Sequence, residues 1–144
     1  MHAIGMEAAR GYHLSLLAKA YGEVGRLDDG LGALREALEI ANQNEERKFE
    51  AEMHRLKGEL LLSHHPSKAV QAEKSFRTAI EIARKQHAKS WELRATTSLS
   101  RLLAKQRKHD KARTMLAEIY NWFTEGFDTP DLNDAKTLLD QLNE

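Results

Sequence analysis

Small and bulky side chains recur about every forty residues along this chain, and this recurrence constrains the fold more than any other feature. In each copy a small residue is followed three positions later by a larger one, at intervals of 40 and 42 residues: Ala18 and Tyr21, Gly58 and Leu61, Ser100 and Leu103. A second series lies 12 to 14 residues further on, with the bulky residue four positions after the small one: Gly30 and Leu34, Ala72 and Phe76, Ala112 and Leu116. Because small residues let two helices approach closely, the pattern predicts three similar helical hairpins stacked in series.

The stretch from residue 49 to 85 is the clearest single hairpin. Its first half carries an apolar stripe at three- and four-residue spacing: Met53, Leu56, Leu60 and Leu61. Its second half repeats the rhythm with smaller side chains: Ala69, Ala72, Phe76, Ala79, Ile80 and Ala83. Between the halves, Pro66 disfavours helix at His65, and Ser67 is predicted to cap the next helix. Each half must therefore bury one face.

The composition favours the all-α class. The chain has 144 residues with only two prolines and eight glycines, and no segment shows the alternation typical of a strand. It contains no cysteine, which excludes disulfide and thiol chemistry. No apolar run approaches the roughly 18 residues of a membrane span, and the N-terminal residues lack the pattern of a signal peptide. We therefore expect a soluble, cytoplasmic protein.

The recurring positions resemble the tetratricopeptide repeat (TPR). In the first copy the matching residues are Leu17, Ala18, Tyr21, Gly25, Gly30, Leu34 and Ala37. The resemblance implies one domain, a right-handed superhelical solenoid of three TPR-like hairpins plus a C-terminal capping helix. The hairpins would cover about 7–44, 45–87 and 90–125, and the capping helix about 130–142. The period of about 40 residues exceeds the roughly 34 of the standard repeat, so each helix is predicted to be about a turn longer.

Three segments, residues 50–62, 90–103 and 121–142, resemble a particular group of such repeats. They are similar to the C-terminal TPR region of large bacterial signalling proteins, which place a nucleotide cyclase or transcription-activator domain and an AAA-type ATPase ahead of the repeats. The resemblance implies a non-catalytic protein-protein interaction module in bacterial signalling. It leaves open an alternative, an intramolecular regulatory or oligomerisation arm of an attached cyclase or ATPase.

Turn and capping residues predict where the helices begin and end. Gly25 is predicted to end the first helix, which begins near Glu7, in a left-handed conformation. Acidic or hydroxyl side chains are predicted to cap the second, fifth and sixth helices: Asp28, Ser90 and Asp110. Residues 44–46 are predicted to precede the third helix, and residues 123–126 to end the sixth. Thr129 with Pro130 is predicted to start a seventh helix whose apolar stripe covers the end of the stack: Leu132, Ala135, Leu138, Leu139 and Leu142.

No equivalent cap precedes the first helix. We therefore expect apolar surface there, involving Leu14, Leu16 or Leu17. Upstream domains would cover it in a longer protein, or two copies would form a homodimer through it.

The resemblance also implies a ligand groove along the first helices of the hairpins. The family's groove positions correspond here to Tyr12, Ser15, Lys19, Glu23, Glu52, Arg55, Glu59, Leu62, Arg94, Thr97, Arg101 and Lys105. Arginines on neighbouring helices would bind carboxylates, which suits an acidic protein or peptide partner. The alternative is that these arginines form helix-surface pairs, for example Arg55 with Glu52.

Charge is distributed unevenly along a chain whose net charge is zero. Residues 88–124 contain eight Lys and Arg against three Asp and Glu, and residues 125–144 contain one against six, giving +5 and −5. Either the acidic tail screens the basic repeat, or the basic face is open to an acidic partner. Five basic residues also surround the fifth inter-helix turn, which makes nucleic acid a second alternative partner: Lys105, Arg107, Lys108, Lys111 and Arg113.

Catalytic patterns are weak in this sequence. Glu50 and His54 lie one helical turn apart, but a metal site needs three or four ligands. His64 and His65 fall in the turn before Pro66, where solvent exposure is the simpler interpretation. The glycines form no phosphate-binding loop. We expect no enzyme activity, no metal and no cofactor, and no membrane partner.

Overall fold

A computed structural model describes residues 2–43 and 47–144, with side chains from Arg10 onward. Seven α-helices account for most of this described part of the chain: α1 His2–Glu23, α2 Leu27–Gln43, α3 Glu50–His64, α4 Ala69–Lys85, α5 Lys89–Lys105, α6 His109–Tyr120 and α7 Pro130–Leu142. A 3-10 turn, Pro66–Lys68, joins α3 to α4. No strand occurs in the described ranges, so the all-α prediction is confirmed.

The chain divides into two compact units, Met1–Ser75 and Phe76–Glu144, and α4 crosses the boundary. In the first unit α1 packs against α2, and α3 packs against both. The core between them is apolar: Ala18, Ala33, Leu34, Ala37, Met53, Leu56 and Leu60. The close approach of α1 and α2 depends on Gly30, where a Cβ would lie 3.2 Å from the carbonyl oxygen of Ala18.

The second unit has the same internal plan. α5 packs against α6, and α7 packs against both. The Ser100 hydroxyl donates a hydrogen bond to the Ala112 carbonyl oxygen, 3.3 Å away, so these small residues meet as Ala18 and Gly30 do. The predicted stripe of α7 is buried while its other face carries polar residues, which confirms the apolar stripe predicted for the seventh helix.

The recurring positions lie in the interior, as the sequence predicted. Ala18, Gly58 and Ser100 are buried, and so are Gly30, Ala72 and Ala112. The bulky partners are buried as well, except Tyr21, which is half-buried: Leu34, Leu61, Phe76, Leu103 and Leu116. Two of the small pairs meet directly between helices, Ala18 with Gly30 in the first unit and Ser100 with Ala112 in the second.

Three helix ends use one hydrogen-bonding motif around a left-handed residue. At the end of α1, Gly25 has φ +80° and Arg26 N–H donates to Tyr21 O at 2.8 Å. At the end of α5, Arg107 has φ +64° and Lys108 N–H donates to Leu103 O at 2.9 Å. These turns are 82 residues apart, the sum of the two repeat intervals. The conformation predicted for Gly25 is confirmed, and the motif recurs at His87 after α4, where φ is +54°.

Several predicted helix boundaries are wrong. Asp28, Ser90 and Asp110 lie inside the first turns of α2, α5 and α6, because helical bonding already begins at the carbonyls of Arg26, Ala88 and Lys108. The two aspartates still suit the positive end of the helix dipole there.

Other boundaries shift for similar local reasons. Ser67 lies within the 3-10 turn, so it is not the cap of α4. α6 ends at Tyr120 because the next N–H groups, from Trp122 and Phe123, bond three residues back instead of four. α1 begins at His2 rather than near Glu7, and α3 begins at Glu50, while the residues 44–46 that were expected to precede α3 lie outside the described part. Thr129 is the N-cap residue of α7 with Pro130 at its first position, as predicted, although the Thr129 side chain makes no capping bond.

Candidate functional site

The predicted groove residues of α1 lie on its outward side, with one exception. Tyr12, Lys19 and Glu23 are exposed, and the Tyr12 ring centroid is 4.8 Å from that of Phe49. Ser15 is buried instead, and its hydroxyl donates to the Tyr12 carbonyl oxygen at 2.6 Å. Of this set, Ser15 is therefore a structural residue, and the other three are available to a ligand.

The predicted groove residues of α3 pair with one another. Arg55 Nη2 lies 2.5 Å from Glu52 Oε1, and Arg55 Nη1 lies 3.8 Å from Glu59 Oε1. The Glu52 and Arg55 side chains are largely buried, while Glu59 and Leu62 are half-buried. The helix-surface pairing of Glu52 with Arg55, one of the two interpretations of this set, is present in the structure.

The predicted groove residues of α5 contact the acidic C-terminal helix. Arg94 Nε lies 3.3 Å from Asp131 Oδ1, and Arg101 Nη2 lies 3.0 Å from both carboxylate oxygens of Asp134. Thr97 is buried, with its hydroxyl donating to the Leu93 carbonyl oxygen at 2.8 Å, and Lys105 is exposed. α7 thus screens two of the arginines in the basic repeat, as one of the two charge interpretations expected.

The exposed side of α1 carries several apolar side chains besides the charged Lys19 and Glu23. Leu16 is 47% exposed, Leu17 44% and Val24 70%, with Tyr12 and Ala20 also exposed beside them. The exposure expected at Leu16 and Leu17 is confirmed. Leu14 is half-buried against the core of the first unit, because its position faces the same side as Gly11 and Ala18. We call Tyr12, Leu16, Leu17, Ala20 and Val24 the α1 outer face.

A polar pocket in the second unit was not predicted from the sequence. It is open to solvent, measures about 470 Å³, and is lined by Arg84, Lys89, Glu92, Met115, Glu118, Ile119 and Trp122. The Glu92 side chain is only 6% exposed; its Oε2 lies 3.1 Å from Arg84 Nε and its Oε1 lies 3.4 Å from Lys89 Nζ. Lys89 Nζ also lies 5.4 Å from the centre of the Trp122 ring. We call these residues the Trp122 pocket.

The signal for this pocket was partly visible in the sequence. The signal was the residue type of Trp122, because tryptophan is enriched at protein interfaces; its 57% exposure is known only from the structure. The burial of Glu92 had no such signal, because acidic side chains are usually exposed. The buried carboxylate is explained by the two cations that contact it.

The basic turn between α5 and α6 is mostly solvent-exposed. Lys105, Arg107, Lys108 and Lys111 are exposed. Arg113 is half-buried; its Nη1 lies 3.2 Å from Asp110 Oδ1, and its Nη2 donates to the Leu142 carbonyl oxygen at 3.3 Å. Four of the five basic side chains can therefore meet an anionic partner.

The histidines singled out in the sequence have local roles. Burial lowers the pKa of His54 below its ordinary value of 6.5; Glu50 opposes this shift, and Lys57 adds to it. His64 Nε2 lies 3.2 Å from the Gly22 carbonyl oxygen at the end of α1. Within residues 2–43 and 47–144, no group of three His, Asp or Glu side chains is placed to hold a metal ion. Among the described helices, none combines the length and apolar composition needed to cross a bilayer.

Comparison of the chain with protein-family models, with curated proteins and with solved structures gives no match. A functional assignment therefore depends on the repeat pattern and on the chemistry of the α1 outer face, the Trp122 pocket and the basic turn.

Proposed function

We propose that this chain is a non-catalytic protein-protein interaction module made of three TPR hairpins that stack as a solenoid, with α7 as its C-terminal cap. The shared plan of the two units supports this assignment. In both units a first helix meets a second through paired small residues, and a third helix packs against both. The 82-residue correspondence of the Gly25 and Arg107 turns also follows the repeat interval.

The α1 outer face is the observation that carries the binding function. It places one aromatic and two leucine side chains on α1, whose opposite side is fixed in the core, with Val24 directly after the end of the helix. A contiguous exposed patch of apolar side chains marks an interaction site, and tyrosine is one of the residue types enriched at the centres of protein interfaces. Lys19 and Glu23, two of the predicted groove residues, border the patch.

The partner that fits this surface is an amphipathic helix of another protein. Its apolar side would cover Leu16 and Leu17, and its charged edge would meet Lys19 and Glu23 with opposite charges. Helix binding to an apolar surface of this kind uses anchors at three- and four-residue spacing.

A peptide array tests the proposal. Wild type and the Leu16→Glu/Leu17→Glu variant are applied to the same array of amphipathic helical peptides. We expect wild type to retain a subset of peptides that the variant no longer binds, because two carboxylates are placed on the apolar patch. Val70→Glu is the matched control, since Val70 is 83% exposed on α4 and outside the patch. Identical retention by wild type and the double variant would refute binding through α1.

An oligomerisation or intramolecular regulatory arm is a second candidate that uses the same face. The resemblance of residues 121–142 to cytoplasmic bacterial signalling proteins supports it, because an attached cyclase or ATPase domain would then cover α1. Light scattering distinguishes self-association: a dimer at high concentration that Leu16→Glu/Leu17→Glu converts to monomer indicates an oligomerisation arm. If wild type and the double variant are both strictly monomeric, self-association through α1 is excluded and partner binding remains the proposed function of this face.

The exposed basic turn favours nucleic acid as a third candidate. Lys105, Arg107, Lys108 and Lys111 would contact phosphates, and each neutralised phosphate adds to the salt dependence of binding. Retention on DNA that falls steeply with salt, and that is lost in Lys108→Gln/Lys111→Gln, would support this candidate. Weak retention on DNA that is equal for wild type and the double variant would exclude nucleic acid as the partner.

A further inference from the structure

We infer that the Trp122 pocket is a second binding site, specific for a peptide carboxylate that has a large apolar side chain next to it. The site lies wholly in the second unit and is independent of the α1 outer face. It extends the proposed protein-binding function to a defined ligand chemistry.

The carboxylate specificity follows from the charges around Glu92. Both oxygens of this buried carboxylate are engaged, one by Arg84 Nε and one by Lys89 Nζ. Glu92 thus holds two cations in place, and the formal charges of the lining sum to zero because Glu118 is a second carboxylate. The recognition of a carboxylate therefore depends on the donors that Glu92 leaves unused. Arg84 keeps its terminal N–H groups and Lys89 keeps two of its three donors for another acceptor. The Arg84 side chain is 60% exposed, so an incoming carboxylate can reach these donors.

The apolar specificity follows from the wall beside the cations. The exposed indole of Trp122 shares the pocket lining with Met115, which is half-buried, and with Ile119, which is buried. Because Lys89 Nζ lies over the indole ring, a carboxylate bound to Lys89 places its neighbouring side chain against Trp122. An indole and a thioether are a favourable surface for a leucine-sized group.

Two acidic groups line the pocket: Glu92, which is paired with both cations, and Glu118, whose charge opposes this ligand. Glu118 is exposed, so solvent and salt weaken its repulsion. This gives a directional test, because Glu118→Gln removes a like charge and should strengthen carboxylate binding.

Two sources of the carboxylate are possible, a chain terminus or an internal acidic side chain. The probes are acetyl-Ala-Ala-Leu with a free C-terminus, the same peptide as its C-terminal amide, and acetyl-Ala-Leu-Glu-Ala amide. The reporter is the fluorescence of Trp122 in the full chain carrying Trp91→Phe, which leaves one tryptophan. Binding of the first peptide alone identifies a C-terminus as the ligand, and binding of the third identifies an acidic side chain.

The variants decide whether the pocket is the site. We expect Arg84→Gln and Lys89→Gln each to weaken binding of the carboxylate peptide about tenfold, the effect of losing a charge-assisted hydrogen bond. Glu118→Gln should strengthen it, and Lys136→Gln, which changes an exposed cation of the second unit outside the pocket, should leave it unchanged. If Arg84→Gln does not fold, Lys89→Gln still tests the site, because Glu92 remains paired with Arg84 in that variant. Equal affinity for acid and amide, no response to any peptide, or loss of affinity in Lys136→Gln equal to that in Lys89→Gln would overturn the inference.

Discussion

The contact between Gly30 and Ala18 gives the sharpest test of the packing, because a matched glycine lies two residues away in the same helix. At Gly30 a Cβ would lie 3.2 Å from the Ala18 carbonyl oxygen and 3.2 Å from Leu60 Cδ1. At Gly32 nothing lies within 4 Å of the added atom. Leu60 can rotate its methyl group away, but the Ala18 carbonyl belongs to the backbone of α1 and cannot.

The magnitudes follow from helix propensity and from overpacking. Gly32→Ala should raise the free energy of unfolding by about 1 kcal/mol, the usual gain when alanine replaces glycine within a helix. Gly30→Ala gains the same propensity but meets the α1 backbone, so it should be the less stable of the two alanine variants. Gly30→Leu should lower the free energy of unfolding by about 1 to 3 kcal/mol, as overpacked core substitutions do.

The assay is urea unfolding of the full chain, followed by far-UV circular dichroism. The three variants are compared with wild type under one set of conditions, and the slope of each transition is checked for a change in the surface exposed. If Gly30→Leu were as stable as wild type, or if the two alanine variants were equally stable, α1 and α2 would not approach as described and the hairpin packing would be wrong.

Three further predictions concern helix ends, ion pairs and pH. Arg107→Gly and His87→Gly should each raise the free energy of unfolding by about 0.5 to 1 kcal/mol, because glycine adopts the left-handed conformation without the steric cost that a side chain adds. Urea unfolding measures both changes. A double-mutant cycle of Arg101→Ala and Asp134→Ala should give a coupling of about 0.2 to 1 kcal/mol that decreases with salt, since the pair is partly exposed; a coupling that does not respond to salt would contradict this. Because the pKa of His54 is lowered in the folded chain, the unfolded chain binds a proton below pH 6.5 more readily than the folded chain. The free energy of unfolding should therefore fall as pH decreases below that value, and His54→Gln should reduce the fall. An unchanged pH dependence in the variant would contradict this prediction.

Much of the helical packing could be predicted from the sequence because it depends on residue size at regular spacing. Ala18, Ser100 and Ala112 are small where two helices meet, and that requirement is visible in the sequence. The stripe of α7 was predictable for the same reason, since a one-sided apolar pattern must be covered.

The turns and caps were less predictable because backbone geometry decides them. The turn at Gly25 was predictable because glycine favours the left-handed region, but the residue type of Arg107 does not indicate that conformation, and only its position 82 residues after Gly25 relates the two turns. Asp28 and Ser90 have the composition of capping residues, yet the helices begin before them. The preference of a residue type for the capping position does not determine the residue at which helical hydrogen bonding starts.

The candidate surfaces were predictable only in part. Exposed apolar surface was predicted at Leu14, Leu16 or Leu17, but the inward direction of Leu14 required the packing of α1. The acidic tail and basic repeat indicated attraction, whereas the pairing of Arg101 with Asp134 required the relative position of two helices distant in sequence. The Trp122 pocket depends on a buried carboxylate, and burial of a charged group follows from its partners rather than from its own residue type.

The most direct test of the proposed function is an NMR titration of the isotope-labelled full chain with a helical peptide selected on the array. We predict that backbone amide shifts concentrate in α1 between residues 12 and 24, and that Leu16→Glu/Leu17→Glu abolishes them while Val70→Glu does not. Shifts confined to other helices, with α1 unchanged, would contradict the claim that this helix presents the binding surface.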